Sequence, residues 1–362
     1  MRKLDIGLDV DDVLLECTPY AVRLANEKYK MNPPLSVEEI KKWGGNGERG
    51  DVILEYFNDE EFYRTQPIIP GAKEFVKKLS KIANVYFVTA INPEFMSLRA
   101  MRLMEEFPEV PPQNIVLTSS KSVVTLDILL DDGPHNILQT IAKFPVLNRK
   151  PWNQHITGCL SINNYDDFFV ILEAIQNSLK PTEPVIEGNA IIALVGPSGT
   201  GKTAIAEEVC KDENYLKITP YTTRLPRENE PKDAYHFITM EEFLEAKKNG
   251  EFFETTMYAG CGYGTKKEDL KNLLEKGNVV VPIDITGAMT FKANFPNVRT
   301  VFIKRSREKL LEALLERNVS NKDKVNRIIC LETELRNQEL CDYVLDNNKT
   351  IEAAAEEIRK LI

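Results

Sequence analysis

The chain has 362 residues, 43% hydrophobic and 28% charged, which excludes a disordered or fibrous protein and leaves room for about two domains. Its net charge of −9 disfavours a generic grip on long nucleic acid. Six cysteines without a CxxC pair read as reduced thiols, acidic residues break the start too early for a secretory signal, and no run nears the roughly 18 apolar residues that span a bilayer, so a cytoplasmic protein is expected.

In chain order, short apolar runs alternate with helical patterns, the signature of a mostly parallel sheet flanked by helices. The first half offers strands at Leu4–Leu8, Val85–Val88, Ile115–Leu117, Ile128–Leu130 and Pro145–Leu147. An amphipathic helix, Asp167 to Leu179, precedes a linker at 179–189 that contains Pro181, Pro184 and Gly188. The second half offers strands at Ile191–Val195, Leu216–Ile218, Val279–Ile283, Val298–Ile303 and Tyr343–Leu345. The expected organisation is an α/β chain of two domains, 1–178 and 190–362, with a polar helical insertion at about 16–68. In such sheets ligands bind beyond the carboxyl ends of the strands, so reactive side chains are sought there.

The first strand runs straight into Asp9-Val10-Asp11-Asp12, and the fourth into Asp131-Asp132. Asp9 and Asp11 share one side of an extended chain. Carboxylates gathered at neighbouring strand ends repel unless a cation separates them, and Mg²⁺ suits such an oxygen-rich site. Solvated loop carboxylates are the plain alternative for this cluster alone. Thr89 ends the second strand, and Lys121 follows the third. The set Asp-x-Asp, Thr, Lys, Asp-Asp resembles the four motifs of haloacid-dehalogenase-like phosphohydrolases. Phe62-Tyr-Arg-Thr-Gln-Pro-Ile-Ile-Pro-Gly71 and Ile128-Leu-Leu-Asp-Asp-Gly-Pro-His-Asn136 resemble the 5'(3')-deoxyribonucleotidase branch. The resemblance implies Asp9 as nucleophile, Asp11 as acid and base, and Thr89 and Lys121 on the phosphoryl oxygens. It implies Mg²⁺ held by Asp9, the Asp11 carbonyl and Asp131, with Asp132 supporting or binding it directly. The family often has Gly where this chain has Asp12. The insertion would be a cap over the nucleoside, with Trp43 stacking on the base; core packing is the alternative for that tryptophan.

The second half opens with Gly196-Pro-Ser198-Gly199-Thr200-Gly201-Lys202-Thr203 between a strand and a helix, the full GxxxxGK[ST] pattern. Its backbone N–H groups cradle phosphates, Lys202 reaches the β- and γ-phosphates of ATP, and Thr203 meets Mg²⁺. Downstream, Thr219-Pro-Tyr-Thr-Thr-Arg-Leu-Pro-Arg227, Tyr235-His-Phe-Ile-Thr239, Gly250-Glu-Phe-Phe-Glu254, Gly262-Tyr-Gly-Thr265 and Ile283-Asp-Ile-Thr-Gly287 resemble guanylate kinase. The resemblance implies that Arg224, Arg227, Tyr235 and Tyr263 clamp the acceptor phosphate. It puts Glu254, Thr265 and Asp284 at the base, and makes Arg317 and Arg327 lid arginines. Three positions depart: Pro220 stands where a serine donor is usual, Pro282 where an aspartate is usual, and Ala313 where a lid arginine is usual.

The reading is a bifunctional enzyme with nucleotide substrates, using Mg²⁺ in both halves and ATP in the second, with a homo-oligomer left open. A polynucleotide kinase/phosphatase would pair the same chemistries, but the acidic balance and the mononucleotide acceptor motifs oppose it. A non-catalytic guanylate-kinase-like binding module is opposed by the complete loop ending in Lys202.

Overall fold

The computed structural model describes residues 2–42, 45–179, 188–226, 234–258, 261–317 and 319–362. The chain divides into two compact units, Met1–Asn153 with Leu160–Asp167 and Gln154–Cys159 with Phe168–Ile362. Among the described residues no helix is long and apolar enough to cross a membrane.

The first unit holds a six-stranded parallel sheet: β1 (Asp5–Leu8), β2 (Asn84–Thr89), β3 (Ile115–Leu117), β4 (Ile128–Asp131), β5 (Phe144–Asn148) and β6 (Leu160–Ile162), in the order β3-β2-β1-β4-β5-β6. Central β1 and β4 are apolar without alternation because both faces are covered. Their register sets Leu8 beside Phe87 and Leu130, so Asp9, Thr89 and Asp131 leave the sheet at one edge. Between β1 and β2 lies the expected insertion, built from the helices Thr18–Tyr29, Gly47–Asp51 and Glu60–Thr65 and short 3₁₀ turns. It has its own apolar core of Ala21, Val22, Ile53, Tyr56 and Phe62.

The second unit holds a five-stranded parallel sheet: β7 (Ile191–Val195), β8 (Tyr215–Lys217), β13 (Asn278–Pro282), β14 (Val298–Lys304) and β15 (Tyr343–Asp346), in the order β15-β14-β7-β13-β8. A second sheet joins β9 (Tyr221–Thr222), β10 (His236–Phe237), β11 (Phe252–Tyr258) and β12 (Cys261–Lys266) in the order β10-β9-β12-β11. The sequence reading contains neither this sheet nor β6. The strands of β9 and β10 have two residues each, and in the antiparallel hairpin β11–β12 polar residues and glycines interrupt the apolar ones.

Candidate active sites

In the first unit the end of β1 turns sharply. Asp12 adopts φ 56°, a left-handed conformation that glycine takes most readily. Its carboxylate accepts from the N–H groups of Cys17 and Thr18 at 3.0 Å and from Thr18 Oγ1 at 2.6 Å, capping the helix Thr18–Tyr29. A glycine could make the turn but not the cap, which accounts for an aspartate here.

Asp9 is almost fully buried. Lys121 bridges Asp9 Oδ1 and Asp131 Oδ2, each at 2.7 Å. Burial, then repulsion from Asp131, pushes the Asp9 carboxyl up to about 7 against the pull of Lys121. Asp131 is heavily engaged: besides Lys121 on Oδ2, its Oδ1 accepts from Gly133 N at 2.8 Å and Asn136 Nδ2 at 3.0 Å. Asp132 differs, with Oδ2 accepting from Trp152 Nε1 at 2.8 Å while its buried Oδ1 has no partner. Burial, then repulsion from Asp12 and Asp9, raises Asp132 well above the ordinary carboxylate range.

Asp9, Asp131 and Asp132 each offer an oxygen within 4.8 Å of the others. A hard, oxygen-only donor set around a bare buried carboxylate oxygen fits a divalent cation such as Mg²⁺. The side chain of Asp11 is not in this group. It pairs with Arg99 through both oxygens, Nη2–Oδ1 at 3.0 Å and Nη1–Oδ2 at 3.1 Å, and Gln66 Nε2 donates to Oδ1 at 2.9 Å. Arg99 Nη1 also lies 3.5 Å from Thr89 Oγ1. Arg99 and Trp152 are absent from the sequence reading, and Gln66 enters it only within the Phe62–Gly71 stretch, without a role. Arg99 had a signal: it lies four residues before Leu103 on the buried face of the helix Met96–Glu106, a cation in an apolar stripe.

In the second unit β7 ends in the glycine-rich loop. Gly196 has φ 144°, and a Cβ there would fall 2.6 Å from the Ile303 carbonyl oxygen, so the loop admits no side chain at this point. Gly201, at φ 91°, starts the helix Lys202–Val209. Lys202 Nζ donates to the carbonyls of Gly196 and Pro197. Desolvation, with Arg317 and Arg327 nearby and Glu334 opposing them, pulls its ammonium down to about 8. Arg327 donates to Ser198 Oγ. A cavity of about 640 Å³ is lined by Gly196, Lys202, Thr203, Asp284, Arg317 and Arg327. Thr200 is buried beneath the loop, its Oγ1 donating to the Pro197 carbonyl at 2.9 Å.

The second sheet gathers the remaining motif residues. Arg224 lies over the Tyr235 ring at 5.2 Å, and Tyr235 meets Tyr263 edge-on at 6.0 Å. On β11 and β12 Glu254 is paired with Thr265, and Gly264 with Tyr221 of β9. Pro220 directly precedes Tyr221 at the start of β9. Desolvation, then repulsion from Asp284, pushes Glu254 up to about 8. Asp284 accepts from Gly287 N at 2.8 Å, capping the helix Ile285–Asn294, and from Thr256 Oγ1 at 2.9 Å. Trp43 and Arg227 lie outside the described residues.

Residues 188–362 match the family described as guanylate kinase, and residues 2–177 match that described as 5' nucleotidase, deoxy (pyrimidine), cytosolic type C protein. A guanylate kinase of Wolinella succinogenes is 35% identical over 164 residues, 44% of this chain and 76% of the relative. One of Clostridium tetani is 32% identical over 181 residues, 49% of this chain and 86% of the relative.

Proposed function

This chain belongs to the guanylate kinase family through residues 188–362 and carries a 5' nucleotidase domain in residues 2–177, and from that premise we propose a division of labour between a phosphatase and a kinase acting on nucleoside monophosphates. The phosphatase hydrolyses (deoxy)nucleoside 5'-monophosphates through an aspartyl phosphate and depends on Mg²⁺. The kinase uses ATP and has altered base specificity, preferring guanine less strongly than a guanylate kinase does. The two activities separate at residues 179–189.

The observation that carries the phosphatase reading is the Asp9–Lys121–Asp131 bridge beside the bare Asp132 Oδ1. Asp9 attacks phosphorus, the bond to the sugar oxygen breaks, and that oxygen takes a proton from Asp11. Water then attacks the aspartyl phosphate, gives its proton to Asp11, and frees Asp9 and phosphate. Lys121 and Thr89 meet the phosphoryl oxygens. Asp9, Asp131, Asp132 and the Asp11 carbonyl would hold Mg²⁺. When bound, that ion offsets charge on the transferring phosphoryl group. Arg99 engages both oxygens of Asp11, so either proton transfer requires one of those contacts to open.

For the kinase, the cavity over the loop takes ATP, and Arg224, Tyr235 and Tyr263 take the acceptor phosphate. Thr203 would ligate the nucleotide's Mg²⁺. Glu254, paired with Thr265, and Pro220, next to the strand paired with Gly264, carry the specificity reading. Pro220 has no donor for a guanine carbonyl, whereas Glu254 can accept from a ring N–H, which uracil and thymine also have. The test is a panel of purine and pyrimidine (deoxy)nucleoside monophosphates assayed for phosphate release and for ATP-dependent diphosphate formation. A kinase preference for GMP or dGMP above about a hundredfold over every pyrimidine, roughly 2.7 kcal/mol, would overturn the base assignment.

A further inference from the structure

The two oxygens of Asp132 have different fates. Oδ2 is taken by Trp152 Nε1 at 2.8 Å, and the main-chain carbonyl of Asp132 accepts from Asn153 Nδ2 at 2.9 Å. Oδ1 is buried without a partner, and Asp132 offers one carboxylate oxygen to the cluster with Asp9 and Asp131. A bare buried carboxylate oxygen is costly unless another group fills the place.

Trp152 stands in the turn Pro151–Asn153 after β5, with 2% of its surface exposed. Its indole packs in the apolar core of the helical insertion with Cys17, Ala21, Ile53 and Phe62. The next residue pins the turn: Asn153 Nδ2 also donates to the Asn148 carbonyl at 2.8 Å, and its Oδ1 accepts from Lys150 N at 3.0 Å. An indole N–H is a donor only, so Trp152 cannot itself ligate a cation. What it can do is decide which oxygen of Asp132 is left for one.

We infer that Trp152 is a positioning residue of the cation site. By engaging Oδ2 it fixes the carboxylate so that Oδ1 is left for the cation, and it ties this ligand to the packing of the insertion. The inference rests on the nucleotidase reading for the reaction the cation serves, but cation binding is measured without turnover. Outer partners of this kind are worth about tenfold to a hundredfold in metal affinity.

The test titrates the full chain, without nucleotide, with Mn²⁺ read by electron paramagnetic resonance and displaced by Mg²⁺. Asp132→Asn identifies the signal from this site. Trp152→Phe, which keeps a ring and loses the N–H, weakens Mn²⁺ binding about tenfold to a hundredfold. Trp152→His, whose ring N–H can reach the same oxygen, recovers part of the loss, and kinase turnover in both variants reports an intact chain. A second measurement needs no change at Trp152. The chain has two tryptophans, so Trp43→Phe leaves Trp152 as the sole indole, and its emission shifts when Mg²⁺ binds. Equal and finite Mn²⁺ affinities in the parent and Trp152→Phe, or an unchanged emission with the cation bound, overturn the inference alone. A parent that binds no Mn²⁺ at Asp132 overturns the inference and the metal site together. A parent that binds Mn²⁺ yet hydrolyses no monophosphate sinks only the nucleotidase reading.

Discussion

The two units meet phosphate by opposite means. The first brings carboxylates to it: Asp9, Asp131 and Asp132 lie buried at one sheet edge with Lys121 between two of them. The second brings a glycine-rich turn, with Lys202, Arg317 and Arg327 around the cavity. On the proposed mechanisms, the difference follows from where the phosphoryl group goes. A chain that bonds phosphorus covalently needs an anionic nucleophile, and must then neutralise the repulsion between that anion and its substrate. A chain that only passes the group between two nucleotides supplies donors and cations, with no nucleophile of its own.

The largest expected effects test whether the two mechanisms are separate. Asp9→Asn should lower phosphatase kcat by at least about a thousandfold and leave kinase turnover unchanged, and Lys202→Met should do the reverse. Loss of both activities in either variant would break the separation. Next comes the Arg99 fork. Arg99→Lys keeps the charge but cannot grip both oxygens of Asp11, and phosphatase kcat/KM should fall about a hundredfold, as for a small misplacement of a catalytic group. A change below about threefold would remove Arg99 from the mechanism.

A smaller effect is read from pH. Glu254 sits near 8 because desolvation and Asp284 disfavour its charged form, so it carries a proton at neutral pH in the empty site. Accepting from a ring N–H requires that proton to leave. The acceptor KM should therefore fall as pH rises, by about tenfold between pH 7 and 9, and Glu254→Gln should flatten the profile. A KM independent of pH in the parent would detach Glu254 from the base. The smallest effect belongs to Pro220. Restoring a hydroxyl with Pro220→Ser should shift kcat/KM towards guanine nucleotides about threefold to tenfold, the worth of one neutral hydrogen bond of about 0.5–1.5 kcal/mol. The ratio of GMP to dTMP turnover in both chains measures it.

Much of this arrangement was legible in the sequence, because parallel strands announce themselves as apolar runs and the reactive residues follow them directly. The five strands expected in the first half and the five in the second were found within one or two residues of their expected bounds. The sheet of β9 to β12 was not legible as structure, although its motif residues were, since β9 and β10 have two residues each and polar residues interrupt the apolar ones of β11 and β12. The roles of Arg99, Gln66 and Trp152 were missed for another reason. Each acts through a partner far away in the chain, Arg99 on Asp11 across 88 positions and Trp152 on Asp132 across 20, and local spacing does not encode such pairs. Asp12 looked like a departure from a family pattern until its carboxylate was found on the Thr18 and Cys17 amides.

Both units sit on one polypeptide, which fixes their copy number at one to one. Expression cannot then tune the rate at which monophosphates are destroyed against the rate at which they are promoted. That balance has to be written into selectivity: a monophosphate accepted equally by both units would have its fate set by their relative kcat/KM values at every protein concentration. On the proposed reading Glu254, Thr265 and Pro220 therefore set more than a substrate preference, because they are among the few places where the flux ratio of the whole molecule can be adjusted.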